Sequence, residues 1–439
     1  MWKLNLLFLI GVVTLQEGLG DMQEHAVCQA PKRKDAHPLY CDQYYLCLPS
    51  APLMKTCLSD TLYDEKRQTC LSKRRTKCTP GKILSTDAKK NLFGSCKRVI
   101  CSYSGYSFQP ESIDPLLCSH IHFLRYGYLN EKGLHLVSPD VNQTAKELVE
   151  MKKGHPHLKL MVTLQPIWKM SYEKLAAVKE LRDFFLKSAA KVVREMQFDG
   201  LIIIWWLPHW KGNLYSELLK QTMIFLQAEA HASNLPRLLL SHHVGARRYL
   251  SYNHYNIATL HPHIDYTVIM ASNMAGGWHS VIGHHSLLSE VGDVIDIWIS
   301  KGYPRDKLVI GIPTFGRSFK LKDVSQTNLG APAAGHGKLI LPGVALYGAP
   351  PFTRICQLLS TGKATVVHST VAAAPYLYYK DFWLGYEDAD SVFYKTRYVI
   401  DRNLGGIYIN DLENDDFAGQ YCGLGVFPLL SSALDACRM

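Results

Sequence analysis

The chain has 439 residues, of which 47% are hydrophobic and 20% charged, and this is the composition of a folded, soluble protein with one large domain and a small one. Its net charge of +10 comes from scattered basic residues, apart from KRK at 32–34 and KRR at 73–75, so nucleic-acid binding is not predicted. We interpret the charge mainly as that of a solvated surface. Contact with a polyanion such as a sulfated glycan is the less favoured interpretation. No cofactor is expected.

The N-terminal segment, residues 1–20, places Lys3 before a short apolar run that ends in small residues. The run is too short to span a bilayer and predicts a secretory signal peptide that ends near Gly20. No later stretch is long and apolar enough to predict a membrane span. The 12 cysteines of such a chain predict disulfides, and Asn142-Gln143-Thr144 is an N-glycosylation sequon. We therefore predict a secreted, extracellular glycoprotein.

A cysteine-rich module is predicted at residues 21–80, because six cysteines fall within 51 residues: Cys28, Cys41, Cys47, Cys57, Cys70 and Cys78. A segment this short cannot fold on its apolar core alone, and the spacing leaves the disulfide connectivity open. The spacing, with CDQYYLC and TLYDEKRQTC, resembles the peritrophin-A chitin-binding domain. That resemblance implies the pairs Cys28–Cys47, Cys41–Cys78 and Cys57–Cys70, and chitin as the ligand.

Three tyrosines of this module, Tyr44, Tyr45 and Tyr63, are predicted to contact carbohydrate. An aromatic face offers apolar area and a hydroxyl to a flat sugar ring at little cost in entropy. The alternative for any one of them is a place in the small core of the module, and we do not expect it for all three.

Residues 81–95 have the Pro, Gly, Ser and Lys content of a linker, and from residue 96 short apolar runs alternate with amphipathic helix-length segments. The eight predicted strands lie in RVICSYSGYS, SHIHFLRYGYL, HLKLMVTL, LIIIWWL, RLLLSHHV, IDYTVIMASN, LVIGIPTFG and GGIYIND. The longest predicted helices lie in VNQTAKELVEMKKG, YEKLAAVKELRDFFLKSAAKVVREM (residues 172–196) and SELLKQTMIFLQAEAHAS. This pattern predicts an α/β fold for residues 96–439, a closed (β/α)8 TIM barrel with its site at the carboxyl ends of the strands.

The fourth strand lies in FDGLIIIWWLPHW, residues 198–210. Together with KLVIGIPTFGRSF, IGHHS, FWLGYEDADSV and NDDFAGQYCG, it resembles glycoside hydrolase family 18, the chitinase fold, over about residues 96–437. The resemblance implies a small α+β insertion at about residues 318–384 and the disulfides Cys101–Cys118 and Cys356–Cys422. Cys96 and Cys437 are left near the two ends of the domain, and we predict that they pair.

The acids of that family are missing from the fourth strand. Active members read D-G-x-D-x-D-x-E there, and Ile202, Ile204 and Trp206 stand at the last three acidic positions, on one face of the strand. The family's reaction needs a Glu that protonates the leaving oxygen and an Asp that stabilises the ring intermediate. Neither Ile nor Trp can do either, so the sequence predicts a protein that is not an enzyme.

Three other strands have also lost residues that handle the sugar in the family. The M-x-Y-D motif of the sixth strand keeps its Met but has Ser272 and Asn273 in place of Tyr and Asp. The Gly-Gly of the third strand is replaced by Gln165 and Pro166, and the Trp of the eighth by Asn410. Changes on four strands argue against a single compensated substitution.

Acidic residues and histidines elsewhere in the chain could suggest a relocated reaction or a metal site, but each group has a simpler structural interpretation. Five acids that a relocated reaction would need are interpreted as loop carboxylates or helix caps: Asp265, Asp411, Glu413, Asp415 and Asp416. Three histidine groups that invite a metal are interpreted as structural or surface residues, so no metal site is predicted: His242 and His243, His261 and His263, and His284 and His285.

Five aromatic residues are predicted near the strand ends in the groove of the barrel: Tyr106, Trp168, Trp210, Trp278 and Trp383. Of these, Trp168 and Trp278 are predicted to contact carbohydrate, the latter by its match to a groove tryptophan of the family. Trp206 is interpreted as a side chain that fills the barrel, with a sugar platform as the alternative, because a buried aromatic covers about 150–250 Å².

These observations lead to three hypotheses. The first is a secreted, non-catalytic chitin-binding protein that holds chitin or chito-oligosaccharide mainly through its N-terminal module. The second is a signalling or growth-regulating lectin whose barrel binds another glycan or a cell-surface receptor. The third is an active chitinase with relocated acids.

Overall fold

A computed structural model of the chain describes residues 34–36, 41–47, 52–57, 61–72, 75–77, 92–130, 132–136, 138, 140–167, 171–205, 211–247 and 254–439. The chain divides into two compact units, one of residues 1–92 with 423–426 and one of 93–422 with 427–439. The predicted signal peptide, Cys28, Cys78, most of the predicted linker, Trp168 and Trp206 lie outside the described residues. In the described part of the chain, no helix is long and apolar enough to cross a membrane.

The small unit is built from short antiparallel strands. A three-stranded sheet has the order β1 (Lys34–Ala36), β2 (Gln43–Cys47) and β3 (Pro52–Thr56), and β4 (Thr61–Asp64) pairs with β5 (Thr69–Ser72). A disulfide joins Cys57 to Cys70, and both cysteines pack in one cluster with Tyr44 and Tyr63. The predicted disulfide-rich β module is confirmed.

The large unit is a closed barrel of eight parallel strands. The strands are β6 (Val99–Tyr103), β7 (His120–Asn130), β9 (Lys159–Pro166), β10 (Gly200–Ile203), β11 (Leu239–Gly245), β12 (Tyr266–Met270), β13 (Leu308–Pro313) and β20 (Gly406–Asn410). Closure comes from β6, which pairs with β20 on one side and β7 on the other, so the predicted TIM barrel is confirmed. A further strand, β8 (Gly133–Leu136), pairs antiparallel with β7 and was not predicted.

Helices follow the barrel strands, and the longer ones bury one face, whereas the last helix is buried at every residue. They are α1 (Val141–Lys153), α2 (Tyr172–Ala177), α3 (Lys179–Glu195), α4 (Gly212–Ser233), α5 (Ile257–Leu260), α6 (Leu288–Ser300), α8 (Ala389–Asp401) and α9 (Pro428–Cys437). Short 3-10 turns lie at Pro110–Ser112, His261–His263, Arg305–Lys307 and Leu412–Asn414. The single helix predicted over residues 172–196 is two helices, because Val178 is extended, with φ −111° and ψ 113°.

The insertion between β13 and β20 is a small α+β layer. A four-stranded antiparallel sheet joins β14 (Arg317–Lys320), β19 (Phe382–Gly385), β18 (Ala374–Tyr379) and β17 (Thr365–Ser369) in that order. A hairpin of β15 (Lys338–Leu341) and β16 (Val344–Tyr347) and the helix α7 (Phe352–Ser360) complete it. Disulfides Cys101–Cys118, Cys356–Cys422 and Cys96–Cys437 are all present in the large unit.

Candidate functional site

The fourth barrel strand presents an apolar row to the interior. Ile202 and Ile204 are 1% and 7% exposed and form one buried cluster with Met161 of the neighbouring strand. Ile202 is in register with Thr163 and Ser241 on the two flanking strands, so it stands in the middle of the sheet. The side chains of Ile202 and Ile204 can neither donate a proton nor stabilise a cation, and the Ile204 N–H donates to the Tyr172 hydroxyl over 3.3 Å.

The centre of the barrel holds a buried histidine pair that the sequence alone did not predict. His122 Nδ1 lies 3.1 Å from His243 Nε2, and His122 Nε2 lies 2.8 Å from the Tyr266 hydroxyl. Burial lowers the pKa of His243 to about 3 and that of His122 well below its ordinary value, so both rings are neutral. Strand alternation in SHHV indicates the direction of these side chains but not their partners. His243 lies on the same inward face as Ser241, whereas His242 points outward and contacts Tyr215 and Thr267.

Two carboxylates follow the eighth strand at the barrel mouth, meaning the carboxyl ends of the barrel strands. Asp411 accepts a hydrogen bond of 2.6 Å from the Ser102 hydroxyl. Glu413 accepts from the backbone N–H groups of Ser104 and Gly105 at 2.8 and 2.6 Å. The two side chains therefore tie the loop after β20 to β6 and to the segment that follows β6.

The other three acids considered for a relocated reaction have structural partners. Asp265 forms a bidentate pair with Arg237, with its nearer oxygen at 2.7 Å. Asp415 is buried and accepts from the N–H groups at the start of α9, and burial raises its pKa to about 7. Asp416 accepts from the backbone of residues 420–422. The interpretation of these acids as caps and loop carboxylates agrees with these contacts.

The ends of the sixth and seventh strands carry a cluster of arginine, asparagine and tryptophan. Asn273, in left-handed backbone with φ +61°, accepts at Oδ1 from Arg317 Nε over 2.7 Å, and its carbonyl oxygen accepts from Arg247 over 3.1 Å. The Arg317 guanidinium lies 5.3 Å from the Trp278 ring centre. Trp278 is 44% exposed, as a residue that contacts sugar must be.

The remaining aromatic residues of the predicted groove behave differently from one another. Tyr106 is exposed, but Trp383 is fully buried between Phe319 and Tyr376 in the core of the insertion. A buried ring cannot stack on a sugar, so the placement of Trp383 in the groove was wrong. Trp210 lies outside the described residues.

The three predicted sugar-contacting tyrosines of the small unit are all in its interior. Tyr44, Tyr45 and Tyr63 are 3%, 7% and 8% exposed. The rings of Tyr44 and Tyr63 stack with their centres 4.7 Å apart, and the Tyr63 hydroxyl donates to the Lys34 carbonyl. We expected at least one of the three tyrosines to lie outside the core, and this expectation was wrong. A unit with few apolar residues builds its core from its largest rings.

The predicted modification site and the other cysteines can be placed only in part. Asn142 lies in the first turn of α1, half-buried, and its Oδ1 accepts from the Tyr126 hydroxyl over 2.7 Å. Cys41 and Cys47 are disulfide-bonded, while their predicted partners lie outside the described residues. Glycosylation of Asn142 stays a prediction.

The remaining histidine pairs are part of the scaffold. His284 Nε2 lies 3.1 Å from the Pro375 carbonyl oxygen, and His285 is fully buried beside Phe315. His261 and His263 belong to a short 3-10 turn before β12. In the part of the chain that the structure describes, no group of three or more His, Cys, Asp or Glu side chains is placed to hold a metal ion.

The large unit combines a closed eight-stranded barrel, an α+β insertion after the seventh strand, an aromatic residue at the mouth and an apolar fourth strand. Together these features define the class of chitinase-like barrels. The family is shown by comparison: the chain belongs to the glycosyl hydrolases family 18, whose model matches residues 98–415. The model of the chitin binding Peritrophin-A domain matches residues 28–78.

Relatives of this chain include proteins with and without hydrolase names. Human chitinase-3-like protein 2 is 29% identical over 77% of this chain and 92% of its own length. A structure of human YKL-39, described as a pseudo-chitinase with retained chitooligosaccharide binding, covers 77% of this chain and 99% of its own, with 26% identity and a TM-score of 0.71. The group IV chitinase of Ostrinia furnacalis matches 78% of this chain and 100% of its own, with 28% identity and a TM-score of 0.70.

Proposed function

We propose that this protein is a secreted, non-catalytic chitin-binding protein that holds chitin mainly through its N-terminal module. The observation that carries the proposal is the fourth strand, where Ile202 and Ile204 stand in place of two family acids and are packed in a buried apolar cluster. Restoring the reaction there would require carboxylates in that cluster, which is costly without a partner charge.

Chitin binding is assigned to the small unit because of its match to the chitin binding Peritrophin-A model. Since Tyr44, Tyr45 and Tyr63 are buried, their role in this proposal is to hold the shape of the unit, and contact with the polysaccharide falls to its other residues. Secretion is supported by the signal-like N-terminus and by the disulfides, which persist in oxidising compartments.

The second candidate function is that of a lectin that acts through its barrel on a glycan or a cell-surface receptor. It is favoured by the exposed Trp278 and by the likeness to YKL-39, a pseudo-chitinase with retained chitooligosaccharide binding. Relocated catalysis is not proposed, because Asp411, Glu413 and Asp415 are all engaged with backbone or hydroxyl groups in the described residues.

One preparation of purified secreted protein tests the proposal with two measurements. We expect no release of label from a fluorogenic chito-oligomer and retention of the full-length protein on chitin beads. Deletion of residues 21–80 should abolish retention, and a thermal melt should show that the deleted protein keeps a folded barrel. Failure of the full-length protein to bind the beads would contradict the proposal, as would label release that a single carboxylate substitution abolishes.

A further inference from the structure

Two guanidinium groups meet at one residue of the barrel mouth, Asn273. Arg317 donates from Nε to the side-chain oxygen of Asn273, and Arg247 donates from Nη2 to its carbonyl oxygen. Arg247 is exposed and Arg317 is half-buried. The terminal nitrogens of Arg317 donate to nothing in the described part of the chain, so their N–H groups are available to a ligand.

Neither arginine has a carboxylate partner among the described residues, whereas two half-buried arginines elsewhere in the barrel do. Arg194 pairs with Glu229 at 2.6 Å and Arg237 with Asp265 at 2.7 Å. At the mouth the position that carries Asp in the family is Asn273, which accepts the hydrogen bond of Arg317 without neutralising its charge.

Among the described residues of the mouth, no carboxylate is paired with either arginine. The fourth strand contributes Ile202 and Ile204 instead of acids, and the two carboxylates of the eighth strand, Asp411 and Glu413, are bonded to residues 102–105. Burial lowers the pKa of the Arg317 guanidinium from its ordinary value, but not into the physiological range, because arginine stays protonated in proteins. Within the group of Arg247, Arg317, Asn273 and Trp278, the two guanidinium charges therefore have no bonded carboxylate among the described residues.

An exposed aromatic ring lies beside these two charges. Trp278 is 44% exposed and rests against Gly276, where a Cβ atom would come within 2.3 Å of the ring. Arg317 lies over this ring, so a ligand that bonds to the guanidinium is brought to the tryptophan as well. Apolar ring faces and N–H donors together fit a sugar that carries an acidic group.

We propose that Arg247, Arg317, Asn273 and Trp278 form a binding site for an acidic glycan, in which a sulfate or carboxylate group accepts hydrogen bonds from the two guanidinium groups. The site is separate from the N-terminal module and does not depend on the proposed chitin binding. Neutral chito-oligosaccharide lacks the anionic group and binds this site more weakly.

The test is a binding measurement on the immobilised full-length protein with three probes: a heparin-derived oligosaccharide for sulfate, a hyaluronan oligosaccharide for carboxylate, and a chito-oligosaccharide as the neutral sugar. We expect at least one acidic probe to bind with an affinity that falls as salt is added, and we expect binding of the neutral probe to be independent of Arg317 and Asn273. Arg317→Gln and Asn273→Asp should each weaken that binding about tenfold or more, the first by removing donors and the second by restoring the internal acid.

Matched controls carry the same charge changes at the opposite end of the barrel. Arg305→Gln alters an exposed arginine before β13, and Asn403→Asp alters an exposed asparagine with a similar left-handed φ of +54° before β20. Equal weakening by Asn273→Asp and Asn403→Asp would overturn the proposal, as would the absence of binding to both acidic probes. Asn273→Asp keeps the size of the residue, so it tests the site even if Arg317→Gln does not fold. Retention on chitin beads is expected to be unchanged in every variant.

Discussion

Ile204 lies at the end of the fourth barrel strand, at a position where chitinases have an acid, and only 7% of its surface is exposed. Its neighbours Ile202 and Met161 offer no partner to a charge. An ionised carboxylate in this cluster would lose its hydration without gaining an opposite charge. The residue therefore has a role in stability that is incompatible with the family's chemistry.

We predict that Ile204→Asp lowers the free energy of unfolding by about 3–5 kcal/mol, the cost of an uncompensated buried charge. Chemical denaturation of the purified protein measures it. The matched control is Ile224→Asp on α4, where the side chain is 48% exposed and a change of about 0.5 kcal/mol is expected. Similar losses at the two positions would show that the fourth strand is not packed as described.

The direction of a side chain was predictable from the sequence where strand alternation decides it. The partner of a side chain was missed where that partner lies far along the chain. The apolar row of Ile202 and Ile204 was predicted because alternate residues share a face. The pairing of His122 with His243 joins strands that are not neighbours in the barrel, and nothing local to SHIHF or SHHV specifies it. The burial of all three tyrosines, Tyr44, Tyr45 and Tyr63, was not expected, because a tyrosine suits both a small core and a sugar face.

The last helix, α9, shows how one element depends on another for its capping. Its N-cap residue is Phe427, in left-handed backbone with φ +47°, and that side chain cannot accept a hydrogen bond. Asp415, from the loop after β20, accepts from the N–H groups of Leu429 and Leu430 instead. The unsatisfied donors of the first turn are thus satisfied by a residue 14 positions away from Leu429.

We predict that Asp415→Ala destabilises the protein by about 2 kcal/mol, because buried N–H groups lose their acceptor. Thermal and chemical unfolding of the full-length protein measure the loss. Asp401→Ala removes an exposed carboxylate from a surface pair with Arg397 and should cost about 0.5 kcal/mol or less. An unchanged stability of Asp415→Ala would mean that water replaces the carboxylate.

The boundaries of helices and strands were predictable where a hydrophobic periodicity runs over many residues. They were not predictable where the backbone conformation of a single residue ends or divides an element. The eight barrel strands and the long helices were predicted close to their observed bounds. Val178 divides the predicted helix because it adopts an extended backbone, a choice that its amphipathic surroundings do not reveal. The strands of the insertion were not assigned, since their pairing joins segments as distant as Arg317–Lys320 and Phe382–Gly385.

At the scale of the whole molecule, the buried histidines make the stability of the barrel dependent on pH. Burial lowers the pKa of His242 and of His243 to about 3, and that of His122 well below its ordinary value. The unfolded chain binds protons at these residues near pH 6.5, before the folded chain does, so their contribution is lost as pH falls below about 6.5. Asp415 acts in the opposite direction, since its raised pKa of about 7 favours the folded state as pH falls from 7.

Burial also lowers the pKa of His120, His284 and His285 and raises that of Asp388. We predict a net loss of stability between pH 7 and pH 5, because six histidines oppose two carboxyls and each histidine contributes roughly 1–2 kcal/mol over that interval. Melting temperature against pH measures this. The variant His243→Gln should flatten the pH dependence, whereas His231→Gln, at an exposed position of α4, should leave it unchanged. A melting temperature that is constant or rises on acidification would contradict neutral burial of these rings.

The disulfide between Cys96 and Cys437 joins residues 341 positions apart, just before the first barrel strand and at the end of the last helix. The barrel chain is therefore a covalent ring. A protease that cuts one surface loop opens this ring without releasing a fragment, and the nicked protein migrates as a single species until it is reduced. Loss of one peptide bond thus does not by itself separate the strands that build the barrel mouth.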